Sequence, residues 1–396
     1  MKTAATPIAG RRAPIALFLC LAIAAAAPAA EYRVSLDGVL DNREYGGIMP
    51  GESGTFFFTR TEAEAGLAVE GCHKIRAGLL YMQEFGAPAS FENARILPFT
   101  PASADNPQAL LYYHYDDSSL QFRFGSFPRA AALSLPEWLF GGEISYYRPF
   151  IHGAAVEANQ WGVTASAWAD WTGRQDVGIR ESFLFGYGIG YKRGPLFARH
   201  DFMMYHLAPS LSVFYPPEDI PRDYVYYSGV YDYGGLSAEA GAAFGATSKF
   251  DSLSVSAGAV ASLVRDRAGD GIWYTPTGGF ISGFAASGFL AVRGLAYFGE
   301  AQTQFWGSEF WRTGWLISPD AGAYARLDLI ARLTIKENVR AELFQSFHTV
   351  GENYPNRWPI GYSQHFILHA EFKGPKKEPE KEEKKKKGFS INVKWD

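Results

Sequence analysis

The chain has 396 residues, a formal net charge of −4, 16% aromatic residues and 42 glycines. So small a charge imbalance argues against nucleic acid as a partner and against an acidic tail. Past residue 30 no run of 18 apolar residues occurs, so a helical membrane span is not expected there.

The first segment reads as a targeting signal. Lys2, Arg11 and Arg12 precede an apolar run at 13–26, and Ala27-Pro28-Ala29 offers a small-x-small cleavage site. Residues 1–29 are therefore expected to be a cleaved secretory signal peptide. The residues after Arg11-Arg12 fit a twin-arginine signal poorly. Cys20 follows Leu19 rather than a small residue, which argues against a lipoprotein anchor. Removal of the signal leaves Cys72 as a solitary thiol, so no intramolecular disulfide is expected.

Residues 32–42 alternate apolar and polar side chains and predict a first strand. A Gly-rich loop follows, then a long strand at 55–69. Phe57, Thr59, Thr61, Ala63, Ala65 and Leu67 share one face; Arg60, Glu62 and Glu64 share the other. A Lys or Arg on a lipid face near the bilayer midplane costs about 2–4 kcal/mol. If the strand spans a membrane, its charged side must face inward. A tight turn at 70–72 leads into 73–85, where Lys74 and Arg76 alternate with Ile75 and Ala77. A Pro-rich loop covers 87–108, and strands 109–115 and 120–127 pair around 116–119. A long loop at 129–148 carries Glu137, Glu143 and Arg148. Further hairpins are predicted at 151–158 with 163–171, 182–192 with 197–206, 236–247 with 253–264, and 278–286 with 289–299. Residues 208–227 hold four prolines and 300–319 are rich in Trp, so both read as loops.

The clearest pattern is Gly322 to His348. Ala323, Ala325, Leu327, Leu329, Ala331, Leu333 and Ile335 take one parity. Tyr324, Arg326, Asp328, Arg332 and Lys336 take the other, with Ile330 the one misfit. The alternation restarts after Lys336-Glu337-Asn338 with Arg340 and Glu342 on the charged face. The last regular strand is predicted at 362–373. The sum is an all-β fold: a transmembrane antiparallel up-and-down β-barrel of about 16 strands, within a range of roughly 14–18, over residues 30–373. Long loops alternate with short turns throughout, as in outer-membrane barrels, and the turn at 336–338 falls on the periplasmic side.

Residues 374–387 form a charged linker or loop without apolar side chains. Residues 388–396 alternate again and end on Trp395-Asp396. This segment reads either as the terminal strand, presented to the barrel-assembly machinery, or as a free tail after Phe372. The first reading makes the count odd and points to a missed strand at 306–317.

An outer-membrane lipid hydrolase needs a Ser and a His turned outward at the membrane boundary. His365 and His369 lie four apart near Ser363, and His200 and His206 share a strand with Arg199 and Asp201. Both pairs read more simply as polar wall residues. No metal-ligand spacing, P-loop or nucleophile elbow occurs. The expectation is a barrel that is no enzyme and has no cofactor or metal. The residues expected to line a pore are Arg60, Glu62, Glu64, Lys74, Arg76, Arg123, Arg326, Asp328, Arg332, Lys336, Arg340 and Glu342. The loop 129–148, through Glu137, Glu143 and Arg148, is expected to form a constriction.

Three segments carry a family resemblance: Asp41-Asn42-Arg43-Glu44-Tyr45, Phe122-Arg123-Phe124-Gly125-Ser126-Phe127-Pro128-Arg129, and Trp168-Ala169-Asp170-Trp171-Thr172-Gly173-Arg174-Gln175. They resemble a group of porin-like Gram-negative outer-membrane β-barrels. The resemblance implies an outer-membrane location and contact with lipid and lipopolysaccharide, and transfers no catalytic residue. The function expected is a passive channel for small hydrophilic solutes, selective through its lumen charges, with room for a homo-oligomer. The alternative is a structural or surface-interaction barrel without an open pore.

Overall fold

The computed structural model describes residues 30–45, 54–85, 107–142, 144–173, 181–208, 230–247, 249–267, 270–308, 310–311, 322–351 and 360–374. Sixteen strands run in chain order. They are β1 (Ala30–Glu44), β2 (Gly54–Glu70), β3 (His73–Glu84), β4 (Gln108–Asp116), β5 (Leu120–Pro128), β6 (Phe150–Gln160), β7 (Val163–Gly173) and β8 (Ser182–Arg193). Then follow β9 (Leu196–Leu207), β10 (Tyr231–Phe244), β11 (Ser252–Asp266), β12 (Thr277–Ser287), β13 (Leu290–Gly299), β14 (Ala323–Lys336), β15 (Val339–Val350) and β16 (Ile360–Lys373). Each pairs antiparallel with its sequence neighbours, and β1 pairs with β16 to close the barrel. The closed antiparallel barrel and its 16 strands are those expected from the sequence.

Side-chain alternation sets which face is which. Leu327, Leu329, Leu333 and Ile335 of β14 lie exposed on the outer surface, whereas Asp328 is fully buried inside. Ile330, the one break in the sequence pattern, points inward and is buried there, so the misfit is a packing residue. Short turns gather at one end of the barrel. Trp161 and Gly162 both have positive φ, 51° and 81°, in the two-residue turn between Gln160 and Val163. That geometry matches the right-handed twist of the strands it joins.

β10 begins at Tyr231, five residues before the expected start, because Gly234-Gly235 hides its apolar alternation. β11 continues to Asp266 for the matching reason, since its end pairs with the start of β10. The expected signal peptide (1–29), the charged segment after Gly374 and the strand at 388–396 lie outside the described residues. The described barrel closes through β1 and β16. The strand suspected at 306–317 is not one over its described part: none of Trp306, Gly307, Ser308, Phe310 and Trp311 is extended into a strand, and Phe310 and Trp311 are helical.

Sixteen strands enclose a lumen far wider than one layer of side chains can fill. Among the described residues, two chain segments enter it: the loop between β5 and β6, and the described part of the loop between β13 and β14. Around them lies a buried apolar cluster including Phe127, Trp138, Leu139, Ile144, Tyr297, Phe310 and Trp311. The core of this protein is thus inside the barrel, towards the long-loop end.

Candidate functional site

The β5–β6 loop leaves the wall at a clamp. The Arg129 amide donates to Pro149 O (2.7 Å), closing the loop's base. The buried Arg129 side chain donates to the carbonyls of Arg148 (3.0 Å) and Phe150 (2.7 Å) and to Asp170 Oδ2 of β7 (2.5 Å). Asp170 also accepts the His152 amide at 2.8 Å. These bonds use Nε and Nη2 of Arg129 and both oxygens of Asp170, which offsets much of the cost of burying the pair. Arg129 Nη1 is buried without a hydrogen-bond partner, and the guanidinium lies 5.0 Å from the Phe140 ring.

From that clamp the loop crosses the lumen. Ser134 O accepts from Arg199 of β9. Glu137 Oε2 lies 3.0 Å from Arg293 of β13 and 3.2 Å from Arg326 of β14. A short helix, α1 (Ile144–Tyr147), then reaches the wall at β1 and β2. There Ser145 O accepts from Arg60 of β2 (3.3 Å), and the Tyr147 hydroxyl donates to Asp41 of β1 (2.5 Å).

The β13–β14 loop packs against the first. The Gly141 amide donates to Trp306 O (2.7 Å) and the Ser308 amide to Glu137 O (2.9 Å). Gln304 Nε2 donates to Ser262 Oγ of β11 (2.9 Å), and Ser262 Oγ donates to Gln302 Oε1 (2.9 Å). Ring contacts bind the two loops to the wall. Trp138 lies 4.2 Å from Phe280, and Phe310 stacks on Tyr324 at 4.0 Å between centroids. Phe140 stacks on Trp306 at 5.7 Å. Aromatic pairs of this kind add about 0.5–1.5 kcal/mol beyond the area they bury.

Each described residue expected to line a pore falls as follows. Arg60 pairs with Asp37 (2.6 Å), and Arg33 bridges Glu62 and Glu64. Arg76 pairs with Glu64 and, at 2.8 Å, with Glu31; Lys74 lies 3.8 Å from Glu31. Arg123 is buried and donates to Gln121 Oε1 at 3.0 Å. Arg326 and Arg293 both hold Asp328 at 2.6 Å. Arg332 and Arg340 lie 3.6 and 3.9 Å from Glu342, with side chains 44% and 60% exposed. Lys336 is exposed beside the register irregularity that ends β14. Of the loop residues, Glu137 crosses the lumen, Arg148 contributes its backbone carbonyl to the Arg129 clamp, and Glu143 lies outside the described residues.

Ion pairs thus cover much of the inner wall, and exposure grows towards the short turns. Near the long-loop end Phe58, Leu80, Phe127, Ile151 and Leu184 are wholly buried. The lumen is packed there, while Arg332 and Arg340 meet solvent at the other end. A wall of paired charges presents a weaker net field than separate charges of one sign would.

Two polar groupings were not anticipated. Asp41 accepts from Arg43 (2.5 Å) as well as Tyr147 and lies 3.1 Å from His365. His348 Nε2 lies 3.4 Å from Ser363 Oγ, with its Nδ1 2.8 Å from the Tyr324 hydroxyl. His365 and His369 do face the lumen, each against an aspartate of β1. His200 and His206 take the opposite parity from Arg199 and Asp201 and face outward. The partners come from distant strands, so only the closure of β16 on β1 and the inward turn of α1 bring them together. Barrel register was the available signal.

Residues 27–213, which carry β1 to β9 and the inward β5–β6 loop, match a family model described as lipid A 3'-O-deacylase-type. The match spans less than half of the chain. It corrects the expectation that the protein is no enzyme, because the description is that of a deacylase. A barrel assembles chemical groups from strands far apart in sequence, so its chemistry need leave no linear motif. The sequence matches no curated protein. Among solved structures, the chain resembles the outer-membrane expressed OmpT of Vibrio cholerae, with TM-score 0.52 and 7% identity over 87% of this chain and 99% of that one. It also resembles OprB of Pseudomonas putida, with TM-score 0.50 and 8% identity over 87% of this chain and 94% of that one. The chain therefore has the fold of an outer-membrane porin-like barrel.

Proposed function

We propose that this protein is an outer-membrane channel for small hydrophilic solutes, in which the two inward loops set a narrow, loop-controlled constriction. The observation that carries this reading is Glu137, held across the lumen between Arg293 and Arg326. Charged residues are a costly filler for a barrel that needs only to be solid, since apolar side chains of similar volume avoid the desolvation. A charged wall that becomes more exposed towards the short turns suits a water-filled vestibule. The aromatic packing at the long-loop end narrows the path above it. Solutes would diffuse down their gradients, with selection by the inward charges that remain accessible, Arg332 and Arg340 among them. The porin-like fold supports the same reading.

Planar-bilayer recording from folded, heat-modifiable protein tests it. Small conductance steps are expected from the wild type, and larger or more frequent ones from Glu137→Gln. Silence from both proteins would overturn the channel.

The family match favours a second reading, an acyl-ester hydrolase acting on a lipid of the lipid A type. Vesicles containing lipid A, incubated with the folded protein, would release fatty acid detectable by mass spectrometry. No release would sink this second reading and leave the first untouched.

A further inference from the structure

The geometry points to a binding site for a phosphate-bearing lipid headgroup on the outer wall, built by Arg265 and Arg267 over Asp232, with His206 and Trp273 beside them. It is independent of whether the lumen conducts.

Three adjacent strands bring the site together at one level. His206 is the penultimate residue of β9, Asp232 the second of β10 and Arg265 the penultimate of β11. His206 pairs in register with Asp232, and Asp232 with Arg265. Their parity is opposite to that of Tyr205 and Ser237, which face the lumen, so all three face outward. Arg267 follows β11 and is fixed by its amide, which donates to Val230 O at 2.8 Å.

Polar groups on the lipid side are tolerated at the interface, where an Arg costs about 0–1 kcal/mol against about 2–4 kcal/mol at the midplane. The surroundings are those of an interfacial belt. Trp171 stacks on Phe183, whose ring lies 5.0 Å from that of His206. Trp273 lies under the Arg265 guanidinium at 4.4 Å, held there by the Val264–Tyr274 bridge. The long-loop end of an outer-membrane barrel faces the outside, so this belt meets the outer leaflet.

The charge arrangement selects the ligand. Asp232 accepts Nε and Nη2 from both arginines, at 3.1 and 2.6 Å from Arg265 and at 2.7 and 3.1 Å from Arg267. Its other neighbour is His206 Nδ1 at 2.9 Å. One carboxylate faces two guanidiniums, so the group keeps a net positive charge. The acid is also the buried member: its side chain is 4% exposed, against 27% for Arg265 and 48% for Arg267. Each guanidinium spends one edge on Asp232 and keeps its Nη1 hydrogens for another acceptor. Of the nearby acids, Asp266 takes the inward parity, and Asp270 accepts the Ile272 amide at 2.9 Å. Two arginines oriented by one buried acid, one of them over the Trp273 ring, form a fork suited to phosphate oxygens.

The test uses the full-length folded barrel in detergent, with native mass spectrometry reading retained lipid. The probes are bis-phosphorylated lipid A, the same lipid after phosphate removal, and inorganic phosphate. Wild type should retain the phosphorylated lipid about tenfold better than the dephosphorylated one, and Arg267→Gln should lose that preference. Arg267→Lys, which keeps the charge without the fork, should fall between. Unchanged heat-modifiable mobility verifies folding of each variant. Equal retention of both lipids by wild type, or full preference in Arg267→Gln, would overturn the site. Displacement of the lipid by inorganic phosphate at equal concentration would overturn the lipid assignment in favour of a free-anion site.

Discussion

Glu137 of the inward loop lies 3.2 Å from Arg326 of β14, 189 positions further along the chain. It reaches Arg293 at 3.0 Å with the same oxygen. Both arginines keep Asp328 if Glu137 loses its charge, so Glu137→Gln should leave the barrel folded and weaken only the loop's attachment. Hydrogen bonds to charged groups contribute roughly 1.5–3 kcal/mol. A loss of about 1.4 kcal/mol raises the population of the detached loop about tenfold. Limited proteolysis within 129–149 should accelerate by that factor. A cleavage rate equal to that of wild type would show that Glu137 does not hold the loop.

Gly235 on β10 faces the place where the two inward loops meet. A Cβ there would collide with the Gln304 amide and with the Leu139 side chain. Gly235→Val should therefore loosen both loops together, at a cost of about 1–3 kcal/mol for overpacking. Gly294→Ala on β13 is the control, because a Cβ at that position meets nothing within 4 Å. Protease sensitivity in both loops should rise for the first variant and stay at the wild-type level for the second. Equal sensitivity of the two variants would disprove the packing argument.

The barrel was legible because a membrane makes alternation obligatory. Leu327, Leu329 and Leu333 had to share one face and Arg326, Asp328 and Arg332 the other, whatever the tertiary details. The interior was much less legible. That 129–148 enters the lumen could be expected from its position, but its hold on Arg293, Arg326 and Asp41 depends on strands that sequence order separates widely. The 300–311 segment, rich in Trp, read equally well as an external loop, since burial inside a lumen and exposure at a membrane surface favour the same aromatic residues. The outer-wall group was hidden by strand ends: Gly234-Gly235 masked the start of β10, which left Asp232 in an apparent loop and Arg265 without a partner.

The short turn between β4 and β5 offers a pH test outside the membrane-spanning segments. Asp117 Oδ1 accepts the Ser119 and Leu120 amides, both at 2.7 Å, and its Oδ2 accepts the Tyr115 hydroxyl at 2.8 Å. These bonds, the Ser119 amide first, hold its carboxyl down at about 2, against an ordinary 3.8. A lowered value in the folded state means that the turn gains stability above pH 3.8 and loses it as pH falls through about 2. The Ser119 amide resonance should therefore titrate near pH 2. A midpoint near the ordinary value would show that the turn is not capped in this way.

The outward apolar band carries the last prediction. Leu329 lies near the middle of β14 and faces out, while Ile335 faces out at the short-turn end of the same strand. If these side chains meet lipid, the penalty for a charge depends on depth. Leu329→Arg should cost about 2–4 kcal/mol and Ile335→Arg about 0–1 kcal/mol. Both would be read from reversible denaturant folding into phospholipid vesicles. In detergent micelles, which have no fixed midplane, the difference between the two should shrink. Equal penalties in vesicles would mean that β14 does not cross the bilayer at the depth its register implies. A larger penalty at 335 than at 329 would mean that the apolar band is centred nearer the short turns.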